Sequence, residues 1–224
     1  MKTSKIIFTS YFSLIGILLI ALMISSFINN DKEKISRLNL VTTSDELTAF
    51  NHIKIETNCN IVVSSDTTYH FEFTRNKKEG NLKINYTYNS DTLIIGHIET
   101  EQFSNIKIYA KNITSISTIK SKLSLTHFQQ DSLQINAQRG RIRFENKIDI
   151  NNLKLKLREG SNFNAWTCKI NTIDLYCRNS NFNTSLKKKL KLFKGDISEK
   201  SNIKIPKAFK YDINADELSQ LRMY

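Results

Sequence analysis

The chain has 224 residues, of which 40% are hydrophobic and 24% charged, so it can form one folded domain plus an appendage and is not disordered throughout. Six glycines and one proline exclude a collagen-like protein, and three cysteines without metal-type spacing predict no disulfide framework, metal site or cofactor. Residues 1–119 carry 12 Lys and Arg against 11 Asp and Glu, whereas residues 120–224 carry 21 against 10. This basic second half favours anionic partners, unless it only reflects an AT-rich genome.

An apolar segment follows two lysines at the amino terminus. From Ile6 to Ile28 it is uncharged, and at 1.5 Å per residue a helix of this length crosses a hydrocarbon core of about 30 Å. The sequence therefore predicts a signal anchor within residues 1–30, with a cleaved signal peptide as the alternative. The domain would then lie in the periplasm or outside the cell, anchored in the inner membrane, or secreted if the segment is cleaved. The polar residues 31–47 are expected to form a stalk.

From residue 48 onward the pattern alternates between apolar and polar positions, beginning with Ile53, Ile55 and Thr57. Such alternation, with Asn, Ser, Asp and Thr between the runs, predicts strands joined by turns. We expect residues 48–224 to form one nearly all-β domain. Its parts are irregular leading strands over about 48–110, regular coils over 111–205 and a cap over 206–224.

A repeat of about 20 residues runs through the second half. Two apolar columns share this period, and the residues are Ile113, Leu133, Leu153 and Ile173 in one column and Leu123, Ile142, Phe163, Phe182 and Ile203 in the other. A single repeat this short cannot bury its own apolar side, so successive copies must stack. The predicted fold is an all-β, single-stranded, right-handed parallel β-helix, or β-solenoid. A sandwich of antiparallel hairpins is the alternative.

The turns repeat as well. Ser161, Ser180 and Ser201 each precede an asparagine, and we expect Asn162, Asn181 and Asn202 to point inward as a hydrogen-bonded ladder. Cys168 and Cys177 occupy core columns and are expected to be buried thiols, with a disulfide between them as the alternative.

The segments 50–65 and 106–125, together with the 20-residue coils, resemble the family named "putative auto-transporter adhesin head GIN domain", which comprises envelope proteins of Bacteroidota. The resemblance covers roughly residues 48–215. The chain lacks the Gly-Ile-Asn motif behind the family name, and its turns use Asn, Arg and Lys where relatives favour Gly and Ser. The resemblance implies a β-helical domain outside the cytoplasm, without known catalysis.

Candidate catalytic residues are scattered. The strand-borne acidic residues of the second half do not recur at 20-residue spacing, and the four histidines, His52, His70, His97 and His127, lie in or beside strands without a Ser or Cys motif to partner them. The sequence therefore predicts a protein that is not an enzyme. The alternative is a β-helix enzyme acting on acidic polysaccharide through Asp174 or Glu145. Nucleic-acid binding comes third, because the anchor places the domain on the wrong side of the membrane.

A basic edge is the candidate binding site. Arg139, Arg158 and Arg178 are 19 and 20 residues apart, so stacked coils would place three guanidinium groups in a row. Lys154, Lys156, Arg141 and Arg143 are expected to flank this row. An anionic glycan or lipopolysaccharide running along the solenoid axis would fit it, and the predicted function is a membrane-anchored, adhesin-like binding module of the cell envelope. Alternatively, these cations only keep the sheet edge soluble and unpaired.

Overall fold

The computed structural model describes residues 15–26, 40–76, 84–98 and 105–223. They belong to two units, Met1–Val41 with Asn76–Gly80 and Thr42–Arg75 with Asn81–Tyr224. In the first unit, residues 15–26 form helix α1. Its length is about 18 Å at 1.5 Å per residue, and no helix among the described residues is long and apolar enough to cross a membrane. The predicted span from Ile6 to Ile28 is therefore not supported by its described part, and its remaining residues lie outside the described ranges.

The rest of the described chain forms strands. They are β1 (Leu40–Glu46), β2 (His52–Ile55), β3 (Asn60–Ser65), β4 (His70–Asn76), β5 (Ile84–Asn89), β6 (Thr92–Ile98), β7 (Asn105–Ala110), β8 (Ser115–Ile119), β9 (Lys122–Thr126), β10 (Gln129–Gln138), β11 (Arg141–Phe144), β12 (Asp149–Arg158), β13 (Asn162–Trp166), β14 (Lys169–Arg178), β15 (Asn181–Ser185), β16 (Leu190–Ser198), β17 (Asn202–Ile205), β18 (Ala208–Ala215) and β19 (Gln220–Met223).

Two sheets share these strands. Sheet A has the order β1-β4-β7-β3-β9-β11-β13-β15-β17-β19, and sheet B has the order β18-β16-β14-β12-β10-β8-β2-β6-β5. From β8 onward the chain alternates between the sheets, and each strand pairs in parallel with the strand one coil earlier. The prediction of an all-β solenoid is thereby confirmed, and the hairpin sandwich is excluded. The right-handedness of the coil stays a prediction.

The apolar columns set the register. Leu133, Leu153 and Ile173 lie opposite one another, as do all five members of the second column, from Leu123 to Ile203. Ile113 is the exception: Ser115 lies opposite Gln134, so Ile113 is one residue out of the predicted column. The aligned side chains bury one continuous core, in which the Phe163 and Phe182 rings stack with centroids 5.3 Å apart. Burial of this core is the main force that stacks the coils.

A ladder of serines supports one corner of the coil. Ser161 Oγ donates to the Arg158 carbonyl at 2.7 Å and accepts from the Gly140 N–H at 3.3 Å, while the Ser161 N–H donates to Ser180 Oγ at 3.1 Å. Ser201 continues the ladder. The expected inward asparagines are wrong, because the buried position belongs to the serine and Asn162, Asn181 and Asn202 are half-buried or exposed. At this tight turn the short serine side chain can reach the neighbouring backbone groups.

The chain bends one or two residues before the ladder position of each coil. One corner has a positive φ in every coil, at Lys120, Arg139, Glu159, Asn179 and Glu199. This left-handed conformation costs an L-residue about 1 kcal/mol, so the corner depends on the packing around it. Inside the coils, Cys168 and Cys177 are free and buried, as expected, and the alternative disulfide between them is wrong.

Candidate functional site

The outer face of sheet B carries a shallow trough of about 540 Å³. It crosses β8, β10, β12 and β14, where outward side chains of successive coils lie side by side. The lining combines small polar groups, three cations, one carboxylate and one tyrosine, contributed mainly by Ser117, Gln134, Asn136, Gln138, Lys154, Lys156, Arg158, Asp174 and Tyr176.

The trough exists because side-chain length increases along one column. Ser117, Asn136, Lys156 and Tyr176 are successive register partners. The short Asn136 and Ser117 form the floor, with Asn136 Nδ2 at 3.5 Å from Ser117 Oγ. Lys156 and Tyr176 form the wall, and the Lys156 ammonium lies 5.3 Å from the centre of the Tyr176 ring. This contact orders a cation at the rim while leaving its donors available.

Three cations lie along a single strand. Lys154, Lys156 and Arg158 are alternate residues of β12, so they point outward about 7 Å apart. Asp174 is the opposing charge, and its carboxylate is 4.0 Å from the Lys154 ammonium. The Lys154 side chain is 66% exposed and the Asp174 side chain is 47% exposed. Solvent therefore screens this ion pair, and the lysine can exchange partners. The net charge of these four groups is +2.

The predicted row of three arginines is only partly formed. Arg158 and Arg178 are register partners, but the residue beside Arg158 on the preceding coil is Gln138, not Arg139. Arg139 lies one residue further on, in the left-handed corner, and its Nε is 3.0 Å from Glu159. The prediction for Arg139 is wrong because both coils advance by 20 residues along sheet B, so the 19-residue spacing places Arg139 one position past the column of Arg158 and Arg178.

Acidic residues neutralise this edge. Gln138 donates to Glu159 Oε1 at 2.6 Å, and this hydrogen bond, with the Arg139 guanidinium, lowers the pKa of the Glu159 carboxyl. Arg178 forms an ion pair with Glu199, which raises the pKa of Arg178 and lowers that of Glu199. The corner therefore carries two Arg–Glu pairs and attracts anions less than the row of free guanidinium groups that we expected.

Arg141 and Arg143 do not flank the trough. They belong to β11 in sheet A, where they line a separate hollow of about 270 Å³ with Lys122. The expectation that they flank Lys154 and Lys156 is wrong, because residues after the corner enter the other sheet. Three of the predicted residues, Lys154, Lys156 and Arg158, therefore share the trough.

The candidate catalytic groups are dispersed. Asp174 lies in the trough, whereas Glu145 follows β11 of sheet A and accepts a hydrogen bond from Ser124 Oγ at 3.0 Å. The two carboxylates thus belong to different sheets and do not form an acid–base pair. Among the described residues no group of three or more His, Cys, Asp and Glu is arranged to hold a metal ion.

One histidine does have a serine partner, contrary to expectation. His52 Nδ1 is 2.7 Å from Ser115 Oγ, and His52 Nε2 is 3.4 Å from the Asp91 carboxylate. The His52 and Asp91 side chains are 34% and 52% exposed, so water competes for these contacts. The trio links β2 to β8 and the turn before β6, and only the stacking of the coils brings its members together.

Sequence reasoning missed the uncharged residues of the trough, among them Gln134, Asn136 and Tyr176. Their signal was present: each occupies an outward position one coil from Lys154 or Lys156. Listing outward positions at the 20-residue period, rather than arginines alone, would have grouped them.

No family model and no curated protein matches the chain, so the resemblance to the GIN domain family stays a prediction. Solved structures do share the fold. A "putative adhesin" from Parabacteroides distasonis is 15% identical with a TM-score of 0.59, and the match covers 82% of this chain and 77% of that one. A "putative adhesin" from Bacteroides fragilis is 13% identical with a TM-score of 0.53, and the match covers 83% and 97%. At these identities the likeness shows a common fold alone.

Proposed function

We propose that the protein is a non-catalytic binding module that holds an acidic polymer, such as an anionic glycan or the sugar and phosphate groups of lipopolysaccharide, in the trough on sheet B. The observation that carries the proposal is the alignment of Lys154, Lys156 and Arg158 along one strand, above a floor of amide and hydroxyl groups. The charged rim can bind the anionic groups of a polymer, and the polar floor can form hydrogen bonds with its hydroxyl groups. The name "putative adhesin" of two structures with this fold agrees with a binding role.

The direction of the bound polymer differs from the expected one. Cations about 7 Å apart along β12 favour a chain that runs parallel to the strand and across the solenoid axis. The Tyr176 ring at the wall offers an apolar surface for the face of a sugar, next to the Lys156 ammonium.

We further propose that the module lies outside the cytoplasm and is tethered by its amino-terminal segment. The support comes from the sequence, where the uncharged residues Ile6 to Ile28 follow two lysines. In helix α1 the apolar side chains Ile17, Leu18 and Met23 are more than half exposed, which fits a segment that associates with lipid.

Two matched triple variants of the full chain test the trough. Lys154→Gln, Lys156→Gln and Arg158→Gln remove three positive charges from sheet B, while Lys122→Gln, Arg141→Gln and Arg143→Gln remove three from sheet A. Binding to heparin is measured by calorimetry at low and high salt, with neutral dextran as the control polymer. We expect the sheet B variant to bind about tenfold more weakly, since each exposed pair contributes about 0.2–1 kcal/mol. Equal weakening by the sheet A variant, or binding insensitive to salt, would contradict the proposal.

The non-catalytic part of the proposal has its own test. A fluorophosphonate probe labels serines activated by a histidine and a carboxylate. Because water reaches the exposed His52 and Asp91, we expect Ser115 to remain unlabelled in the native chain. Labelling that disappears in Ser115→Ala and in His52→Gln would instead indicate a hydrolase.

A further inference from the structure

The last coil exposes side chains at positions that every earlier coil buries. Its Tyr211, Leu221 and Met223 are register partners of Phe193, Ile203 and Ile205. The three partners are at most 2% exposed, whereas Tyr211, Leu221 and Met223 are 39%, 39% and 66% exposed. We call this surface, formed by β18 and β19, the end face. Leaving such a face in water costs about 25 cal/mol for each Å² of apolar area.

The opposite end of the solenoid is covered. There β4 and β5 run antiparallel to their neighbours β7 and β6, and the core side chains Phe71 of β4 and Leu93 of β6 are fully buried. At the end face β18 and β19 are the outermost strands of their sheets in the described chain, as β5 and β1 are at the opposite end. Each presents an edge of backbone N–H and C=O groups that can accept another strand.

We propose that the end face is a homodimer interface, in which β18 of one copy pairs antiparallel with β18 of the second copy about a two-fold axis at Tyr211. A two-fold axis perpendicular to a sheet reverses the strand direction, so the two copies of sheet B become one continuous sheet. The same operation brings the exposed apolar side chains of the two end faces together.

The charges of β18 select this register. With the axis at Tyr211, Lys210 of each copy lies opposite Asp212 of the other, so two pairs of opposite charges form. An axis at Lys210 or at Asp212 would place two like charges directly opposite each other. An axis between two residues would pair inward with outward side chains. The sequence of β18 is thus self-complementary about Tyr211, which argues for a second copy rather than an unrelated partner.

Charge reversal tests the interface. The association state of the full chain in detergent is measured by sedimentation equilibrium for the unchanged protein, for Asp212→Lys, and for Asp212→Lys combined with Lys210→Asp. We expect a dimer, a dissociation constant at least about tenfold higher for the single variant, and recovery of the dimer in the double variant. A monomer at all concentrations, or a double variant as weak as the single one, would overturn the proposal.

Cross-linking tests the position of the axis. Residues facing each other across an antiparallel pair have Cα atoms about 4.5–5.5 Å apart, within the range for a disulfide. Tyr211→Cys should therefore form a covalent dimer on mild oxidation. The control Asn214→Cys should not, because its two copies would be about 20 Å apart along the strands. Equal cross-linking of both variants, or of the unchanged chain with its native cysteines, would contradict this register.

Discussion

Removing one hydroxyl from the serine ladder gives a sharp test of the coil geometry. Ser161 is fully buried, and its Oγ makes hydrogen bonds to the Arg158 carbonyl and the Gly140 N–H. Ser161→Ala removes both bonds, each with a net value of about 1 kcal/mol, and leaves the Gly140 N–H without its partner at about 1–3 kcal/mol, whereas the Arg158 carbonyl still accepts from two backbone N–H groups. We expect the free energy of unfolding to fall by about 2–3 kcal/mol.

The matched control is Ser219→Ala at the end of the same ladder. Ser219 Oγ accepts one bond, from the Ser201 N–H at 3.2 Å, and the residue is half-buried. Water can replace this partner, so the expected loss is below about 1 kcal/mol. Urea unfolding of the full chain, followed by far-UV circular dichroism, measures both variants. If Ser161→Ala costs no more than Ser219→Ala, the ladder does not support the corner as we describe.

Three further predictions concern the core and the corner. Phe163→Ala should lower the free energy of unfolding by about 3–5 kcal/mol, because it leaves a cavity beneath the Phe182 ring; a loss below 1 kcal/mol would exclude tight stacking. In NMR titration the pKa of Glu159 should lie below that of a glutamate in the unfolded chain. The contacts of Glu159 therefore stabilise the fold fully above the unfolded-chain pKa, and this stabilisation is lost as the pH falls through the folded-state pKa. Gln138→Ala should raise this pKa, and an unchanged titration would refute the assigned cause. Burial raises the pKa of Cys168 and Cys177 to about 11, so a thiol reagent at pH 8 should modify these two residues only after unfolding, and their rapid reaction in the native chain would contradict their burial.

The coil could be predicted from sequence because the burial of apolar side chains, which contributes most to its stability, is periodic. An apolar residue recurs at the same position of each coil, so the spacing of Leu133, Leu153 and Ile173 indicates the stacking. Ile113 departs from the 20-residue spacing. It lies where the chain changes from irregular strands to regular coils, and the register between β8 and β10 differs there by one residue.

The site was harder to predict because burial fixes the positions of apolar residues but not those of exposed polar residues. Arg139 lies in a corner and not on the outer strand because its spacing from Arg158 is 19 residues, whereas the register of the strands is 20. Likewise, Arg141 is close to Arg139 in sequence, yet the corner between them sends it into the other sheet. The prediction also placed the asparagine of each turn inward, whereas the serine before it is the buried residue. A shift of one residue decides which of the two side chains faces the core.

The proposed function requires the trough to be the place where an acidic polymer binds. Lysine methylation of the full chain with and without heparin, read residue by residue by mass spectrometry, tests this directly. We predict that bound heparin slows the modification of Lys154 and Lys156 several-fold and leaves Lys122 on sheet A unchanged. Protection of Lys122 without protection of Lys154 and Lys156 would contradict the account.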